Sequence, residues 1–222
     1  MLFQQIRSAP TGVYSYLLGD RNERIALIID PVAENSDVLL GLIADLGLSL
    51  RFILLTHVHP EAGDSATALR ARTGARLVVS SDCEMPGADL RVDHDDYLAF
   101  GDELIHVIGT PGHTRCSVCY RWRDRVFTGD TLLVHACGDI ASPGADAGRL
   151  FDSVTDRLFR LPPETLVFPG FDIAGRTVST IAEEKAANPR FTGRSRDTFV
   201  TAMTDPASAP GWYLERQGVG KE

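Results

Sequence analysis

Residues 51–59 read Arg51-Phe52-Ile53-Leu54-Leu55-Thr56-His57-Val58-His59. An apolar run of strand length passes directly into two imidazoles. Two later stretches repeat the arrangement with other donors. Gly109-Thr110-Pro111-Gly112-His113-Thr114 follows the apolar run 103–108, and Val126-Phe127-Thr128-Gly129-Asp130 closes another. Donors at strand ends are rigidly held and can converge on one point. Two imidazoles and one carboxylate leave several positions open on an octahedral ion, a set that suits Fe(II). His57, His113 and Asp130 are therefore the candidate metal ligands, with His59 in the same loop as the first. A lone histidine has a plainer reading as a surface or core side chain, and His94, His106 and His135 are read that way. Asp130 has one too, because a carboxylate after a strand also caps turns.

Around these stretches, short strands alternate with helices. Residues 14–18 and 24–29 read as strands about the turn Gly19-Asp20-Arg21-Asn22. Residues 36–46 carry Val38, Leu39, Leu42, Ile43 and Leu46 at helical spacing, and Gly47 stands at the C-cap. Residues 65–72 read as helix and 75–80 as strand. Three short strands follow at 103–108, 117–122 and 125–128. Residues 138–148, rich in Gly, Ala, Pro and Ser, read as a loop. A helix over 149–161 stops at Pro162-Pro163, a strand fills 165–168, and a helix lies near 178–187. The tail after Asn188 gives weak signals. This order suits two sheets packed together with helices outside, an αββα sandwich of the α/β class. The 222 residues suffice for one core, so a single domain over 1–222 is expected.

The net charge of −8 and the lack of any Lys/Arg run argue against nucleic acid and against anionic membrane surfaces as partners. The opening MLFQQIRSAPTG has no basic start before an apolar stretch, so it does not read as a secretory signal. A cytoplasmic location with four reduced cysteines follows as the expectation. Cys116 and Cys119 spell a CxxC, but their segment reads as a strand, which puts the two thiols on opposite faces. There is no second CxxC to complete a zinc site.

The three donor stretches resemble the metal motifs of the metallo-β-lactamase superfamily. Within it, the chain resembles the persulfide dioxygenases more than glyoxalase II. The resemblance runs through 14–20 and 27–32, through Gly148-Arg149-Leu150 and Asp152-Ser153-Val154, and most specifically through 175–185 and Asn188-Pro189-Arg190. It implies the metallo-β-lactamase sandwich and one Fe(2+) held by His57, His113 and Asp130, with His59 beside it in a supporting place. The implied activity is oxidation of a low-molecular-weight persulfide, commonly glutathione persulfide, by O2 to sulfite and the parent thiol. Arg149, Arg176 and Arg190 are candidate partners for substrate carboxylates, as planar bidentate donors. Each also reads as a surface arginine in a local ion pair.

The chain departs from the family at several places. Where the metal motif normally continues with Asp and His, it has Glu61 and Ala62. Where the last loop normally offers a further His, it reads Pro169-Gly170-Phe171-Asp172-Ile173. A dinuclear hydrolase needs a second ion that these residues fail to hold. After Cys137-Gly138 the family's Arg-Thr-Asp-Phe is replaced by Asp139-Ile140-Ala141-Ser142. Two rivals stay open at this point: a Zn(2+)-dependent thioester hydrolase of glyoxalase II type, and a degenerate, non-catalytic member acting as a binding protein. A homodimer is among the assemblies such a chain can form.

Overall fold

In the computed structural model, residues 1–58, 60–173 and 175–205 are described, with residues 60–62 described in backbone only. The strands β1 (Leu2–Arg7), β2 (Tyr14–Asp20), β3 (Ile25–Ile29), β4 (Ser49–Leu54), β5 (Arg76–Ser80) and β6 (Leu90–Val92) form one six-stranded sheet in that order. The strands β7 (Tyr97–Phe100), β8 (Glu103–Gly109), β9 (Val118–Trp122), β10 (Arg125–Gly129), β11 (Leu166–Pro169) and β12 (Ser179–Thr180) form the second, also in chain order. In the first sheet β3 to β6 run parallel; in the second, only β10 and β11 do. Helices α1 (Ser36–Asp45) and α2 (Pro60–Thr73) accompany the first sheet. Helices α3 (Ala147–Asp156), α4 (Ile181–Ala187) and α5 (Arg196–Thr204) accompany the second.

The strand period sorts side chains into layers. In β2, Tyr16 and Leu18 point between the sheets, while Leu17 points to the helices. In β3, Leu27 and Ile29 point inward and Ile28 outward. All seven residues of β2 are buried, as expected of a strand covered on both faces. The layer between the sheets is aromatic, with Tyr14, Tyr16, Phe52, Phe100, Tyr120, Trp122, Phe127 and Phe168. Outside the first sheet, Leu39, Ile43, Ala66 and Leu69 of α1 and α2 cover Ile53, Leu55, Leu77 and Val79. Outside the second, Leu150, Val154, Ile181 and Phe199 cover Ile108, Cys119, Val126 and Val167. This is the αββα sandwich expected from the order of elements.

Several boundaries differ from the sequence reading. Helix α1 ends as expected: Gly47 takes φ +63°, its N–H donates to Ala44 O at 3.0 Å, and Leu48 N–H donates to Ile43 O at 2.9 Å. The helix expected over 149–161 begins earlier, capped by Asp146 accepting from Arg149 N–H, and breaks at Arg157. Beyond it, Leu158–Arg160 tightens into a 3-10 turn, and the Arg157 guanidinium is drawn to Gly109 O. Strands β1, β6, β7 and β12 and helix α5 were not read from the sequence, β12 taking the start of the helix expected near 178–187. β1 is an edge strand with only Leu2 fully buried, and α5 buries only Phe199.

Candidate metal centre

The two sheets meet end to end at Thr56. Its carbonyl accepts from Val118 N–H at 2.8 Å, which ties the end of β4 to the start of β9. Gly129 closes β10 at φ +50°, and a Cβ there would lie 2.3 Å from Thr56 Oγ1. Only glycine allows this approach, and it brings Asp130 beside His57. Gly170 has a similar duty: a Cβ would lie 2.5 Å from Asp130 Oδ1. Asp130 O in turn accepts from Gly138 N–H at 2.6 Å.

The result is that His57, His113 and Asp130 each offer a ligand atom within 4.8 Å of the others. His113 and Asp130 are buried and His57 partly so. With ligand bonds of roughly 2.0–2.2 Å, neighbouring donors around one ion lie about 3 Å apart, so each of these donors needs to move by about an ångström at most. The imidazoles lie 5.0 Å apart between ring centroids, tilted by 79°. His113 Nδ1 lies 2.8 Å from Asp139 O. A carbonyl only accepts, so Nδ1 carries the proton and Nε2 keeps its lone pair. That Nε2 is 3.9 Å from Asp130 Oδ2.

His57 is oriented by a longer chain. Thr56 Oγ1 donates to Asp30 Oδ2 at 2.7 Å and sits 2.9 Å from His57 Nδ1. With its own proton given to Asp30, the hydroxyl accepts from Nδ1–H, which again leaves Nε2 for an ion. Asp30 Oδ1 also accepts from Thr56 N–H at 2.8 Å. Desolvation pushes the Asp30 carboxyl up to about 7, the Thr56 hydrogen bonds oppose it, and the Asp130 charge adds to it. A bound cation favours the ionised form.

Residues to which the sequence reading gave no role of their own complete the frame. Asp30 and Thr56 position His57. Glu184, fully buried, accepts from His135 N–H at 3.0 and 3.2 Å and from Asn188 Nδ2 at 2.7 Å. Asn188 Nδ2 also donates to Ala136 O at 3.0 Å. Together they fasten the turn that follows Asp130. Glu184 and Asn188, four residues apart, lie in the stretches that most specifically carried the family resemblance.

The other candidates fall as follows. His59 lies outside the described residues. Arg149 is exposed on α3. Arg176 forks onto Glu183, one bond at 3.0 Å, beside His135. Arg190 is half-buried near Cys137, whose thiol burial pushes up to about 12. Asp139 turns its carboxylate to Ala141 N–H at 2.9 Å, so its backbone serves His113 while its side chain braces its own loop. Phe171 bridges to Val13, with its ring against Gly12. The histidines read as ordinary are so placed: His106 Nε2 meets Asp95 at 2.9 Å and stacks on Tyr97, and His135 meets Glu183 at 3.0 Å.

A paired-sheet sandwich with two imidazoles and a carboxylate gathered at its strand ends defines a class, and the chain belongs to it: the metallo-beta-lactamase superfamily, whose family model matches residues 67–170. Within that class it falls with the persulfide dioxygenases. It is 36% identical over 205 residues to the mitochondrial persulfide dioxygenase ETHE1 of Mus musculus, covering 91% of this chain and 80% of the mouse protein. The crystal structure of ETHE1 from Myxococcus xanthus superposes with a TM-score of 0.88 at 43% identity, over 95% of this chain and 93% of that one. A hydroxyacylglutathione hydrolase of Polaromonas is 30% identical over 77% of this chain and 66% of its own length. No helix of the described residues is long and apolar enough to cross a membrane.

Proposed function

We propose that the chain oxidises a low-molecular-weight persulfide with O2 and water, giving sulfite and the parent thiol, at one iron ion held by His57, His113 and Asp130. The carrying observation is the convergence of these three donors on one point, in a chain similar over nine-tenths of its length to proteins named persulfide dioxygenase. When bound, iron would supply open positions for sulfur and oxygen and a redox-active centre through which electrons pass from the persulfide sulfur to O2. The chain's own part is to fix the ligands. The Asp139 carbonyl and the Asp30–Thr56 pair hold both imidazoles with Nε2 unprotonated, and Gly170 leaves room for the Asp130 carboxylate. Such support typically governs metal affinity by ten- to a hundredfold.

The second-ion reading is opposed by Phe171, which supplies no donor. Arg149, Arg176 and Arg190 remain the candidate substrate cations; a substrate carboxylate at Arg176 competes with Glu183. The Asp139 carboxylate lies 3.9 Å from His113 Nδ1, close enough to repel an anionic substrate. A smaller or less charged persulfide is therefore preferred over glutathione persulfide, and Asp139→Asn narrows the difference. A homodimer and a cytoplasmic, reducing compartment belong to the same proposal, although the mammalian relative is named mitochondrial.

The test is elemental analysis of protein prepared without oxygen, followed by oxygen uptake on a panel of persulfides, with His113→Ala as the blank. One iron per chain and uptake above the blank are expected. Two tightly held zinc ions with thioester turnover would transfer the chain to the hydrolases. Uptake equal to the blank on every persulfide would leave the binding-protein reading. The triple change Glu61→Asp, Ala62→His, Phe171→His should raise zinc stoichiometry.

A further inference from the structure

Cys83 lies in the connection from β5 to β6, and Cys116 in the loop that carries His113. They are 33 residues apart in the chain, yet their Sγ atoms lie 2.7 Å apart. A disulfide needs about 2.05 Å, so less than an ångström of side-chain movement separates the two free thiols from a bond. The pair is asymmetric. Cys83 is buried, whereas Cys116 is partly exposed. Cys116 Sγ faces the Cys83 thiol, the Thr114 hydroxyl at 3.7 Å and the backbone N–H of Val58. The backbone under Cys116 is held too: Ser117 N–H and Thr114 O lie 3.4 Å apart, and Thr114 N–H donates to Ser117 Oγ at 3.1 Å.

We propose that Cys83 and Cys116 are a reversible dithiol–disulfide pair, Cys116 the attacking sulfur and Cys83 the resolving one, oxidised by a low-molecular-weight disulfide. The surroundings fit those roles. Hydrogen bonding from Cys83, ahead of the Thr114 and Val58 donors, lowers the Cys116 thiol below the ordinary cysteine range, the direction of a reactive cysteine. The same contact, with burial, pushes Cys83 up. Cys119 and Cys137, both buried, are pushed up to about 12. In the first step the Cys116 thiolate attacks one sulfur of RS–SR. That bond breaks, and RS⁻ leaves with its electron pair. Cys116 is then no longer an anion, so two of the causes that raise Cys83 disappear. The Arg91 guanidinium, anchored on Cys83 O at 2.6 Å and Met85 O at 3.1 Å, favours the Cys83 thiolate. Cys83 gives its proton to the departed RS⁻ and attacks Cys116 Sγ, and the second RS⁻ leaves. Two electrons pass from the cysteines to RSSR, which is released as RS⁻ and RSH. The new bond clamps the β5–β6 connection to the His113 loop.

The test uses the full chain and glutathione disulfide, with thiols counted by alkylation after acid quench and denaturation. The count should fall from four to two, peptide mapping should join Cys83 to Cys116, and dithiothreitol should restore four. Cys83→Ser should stop at a glutathionyl adduct on Cys116, and Cys116→Ser should leave Cys83 unmodified. A count that stays at four, a link through Cys119 or Cys137, or Cys83 modified at the wild-type rate in Cys116→Ser would overturn the proposal. A measurement without variants guards against misfolding: iodoacetamide should label Cys116 first, with a pH midpoint below the ordinary cysteine range. A midpoint in the ordinary cysteine range of about 8–9 would remove the attacking role.

Discussion

At the scale of single residues, the centre depends on where protons sit on two imidazoles. Nδ1 of each ring must be a donor for Nε2 to be a ligand, and the chain arranges this differently for each: a backbone carbonyl for His113, a hydroxyl backed by a carboxylate for His57. Thr56→Val removes that hydroxyl at nearly constant volume. Its expected effect is a loss of metal affinity of roughly 10–100-fold with the fold retained, read by competition with a chelator. Unchanged affinity would show that His57 needs no such support. Gly170→Ala should also lower metal content, because its Cβ collides with Asp130 Oδ1; full metal content in that variant would contradict the close approach. The three candidate donors were legible in the sequence, since each ends an apolar run. Their partners were not. The Asp139 carbonyl has no side-chain signature, and Asp30 reads in sequence as a turn residue before Pro31.

At the scale of elements, Asp89 shows how a short connection fixes a helix on a sheet. It takes Nε and Nη2 of Arg70 from α2, both at 2.6 Å, and Leu77 N–H from β5 at 2.8 Å. The Arg70 hydrogen bonds, then Leu77 N–H, bring its carboxyl down to about 2. A carboxyl lowered in the folded state stabilises above its ordinary titration range, and this is lost as pH falls toward 2. Asp89→Asn should therefore melt lower than the wild type at neutral pH, with the gap closing between about pH 4 and pH 2. Thermal melts across that range check it, and a gap independent of pH would remove Asp89 from the account. Elements with strong periodicity, such as α1 and β2 to β4, were legible within a few residues. β1 and α5 were not, because an edge strand and a helix that buries only Phe199 cover too little apolar surface to leave a pattern.

At the scale of the whole molecule, the aromatic layer draws on both sheets, and Thr56 O to Val118 N–H links their ends. We propose one domain over 1–222 on that ground. Thermal unfolding of metal-free protein should be a single transition, coincident by far- and near-ultraviolet circular dichroism. Two separated transitions would divide the chain. The sequence by itself determined the alternation of elements, the three donors, and the absence of donors at Ala62 and Phe171, because strand period, apolar runs and residue chemistry are local properties. Only the tertiary structure decided that the donors converge, that the Asp139 carbonyl faces His113, and that Cys116 Sγ lies against Cys83 rather than its CxxC neighbour Cys119. Each of these joins residues distant in the chain, and their meeting depends on the register of strands and the packing of two sheets, which no local pattern encodes.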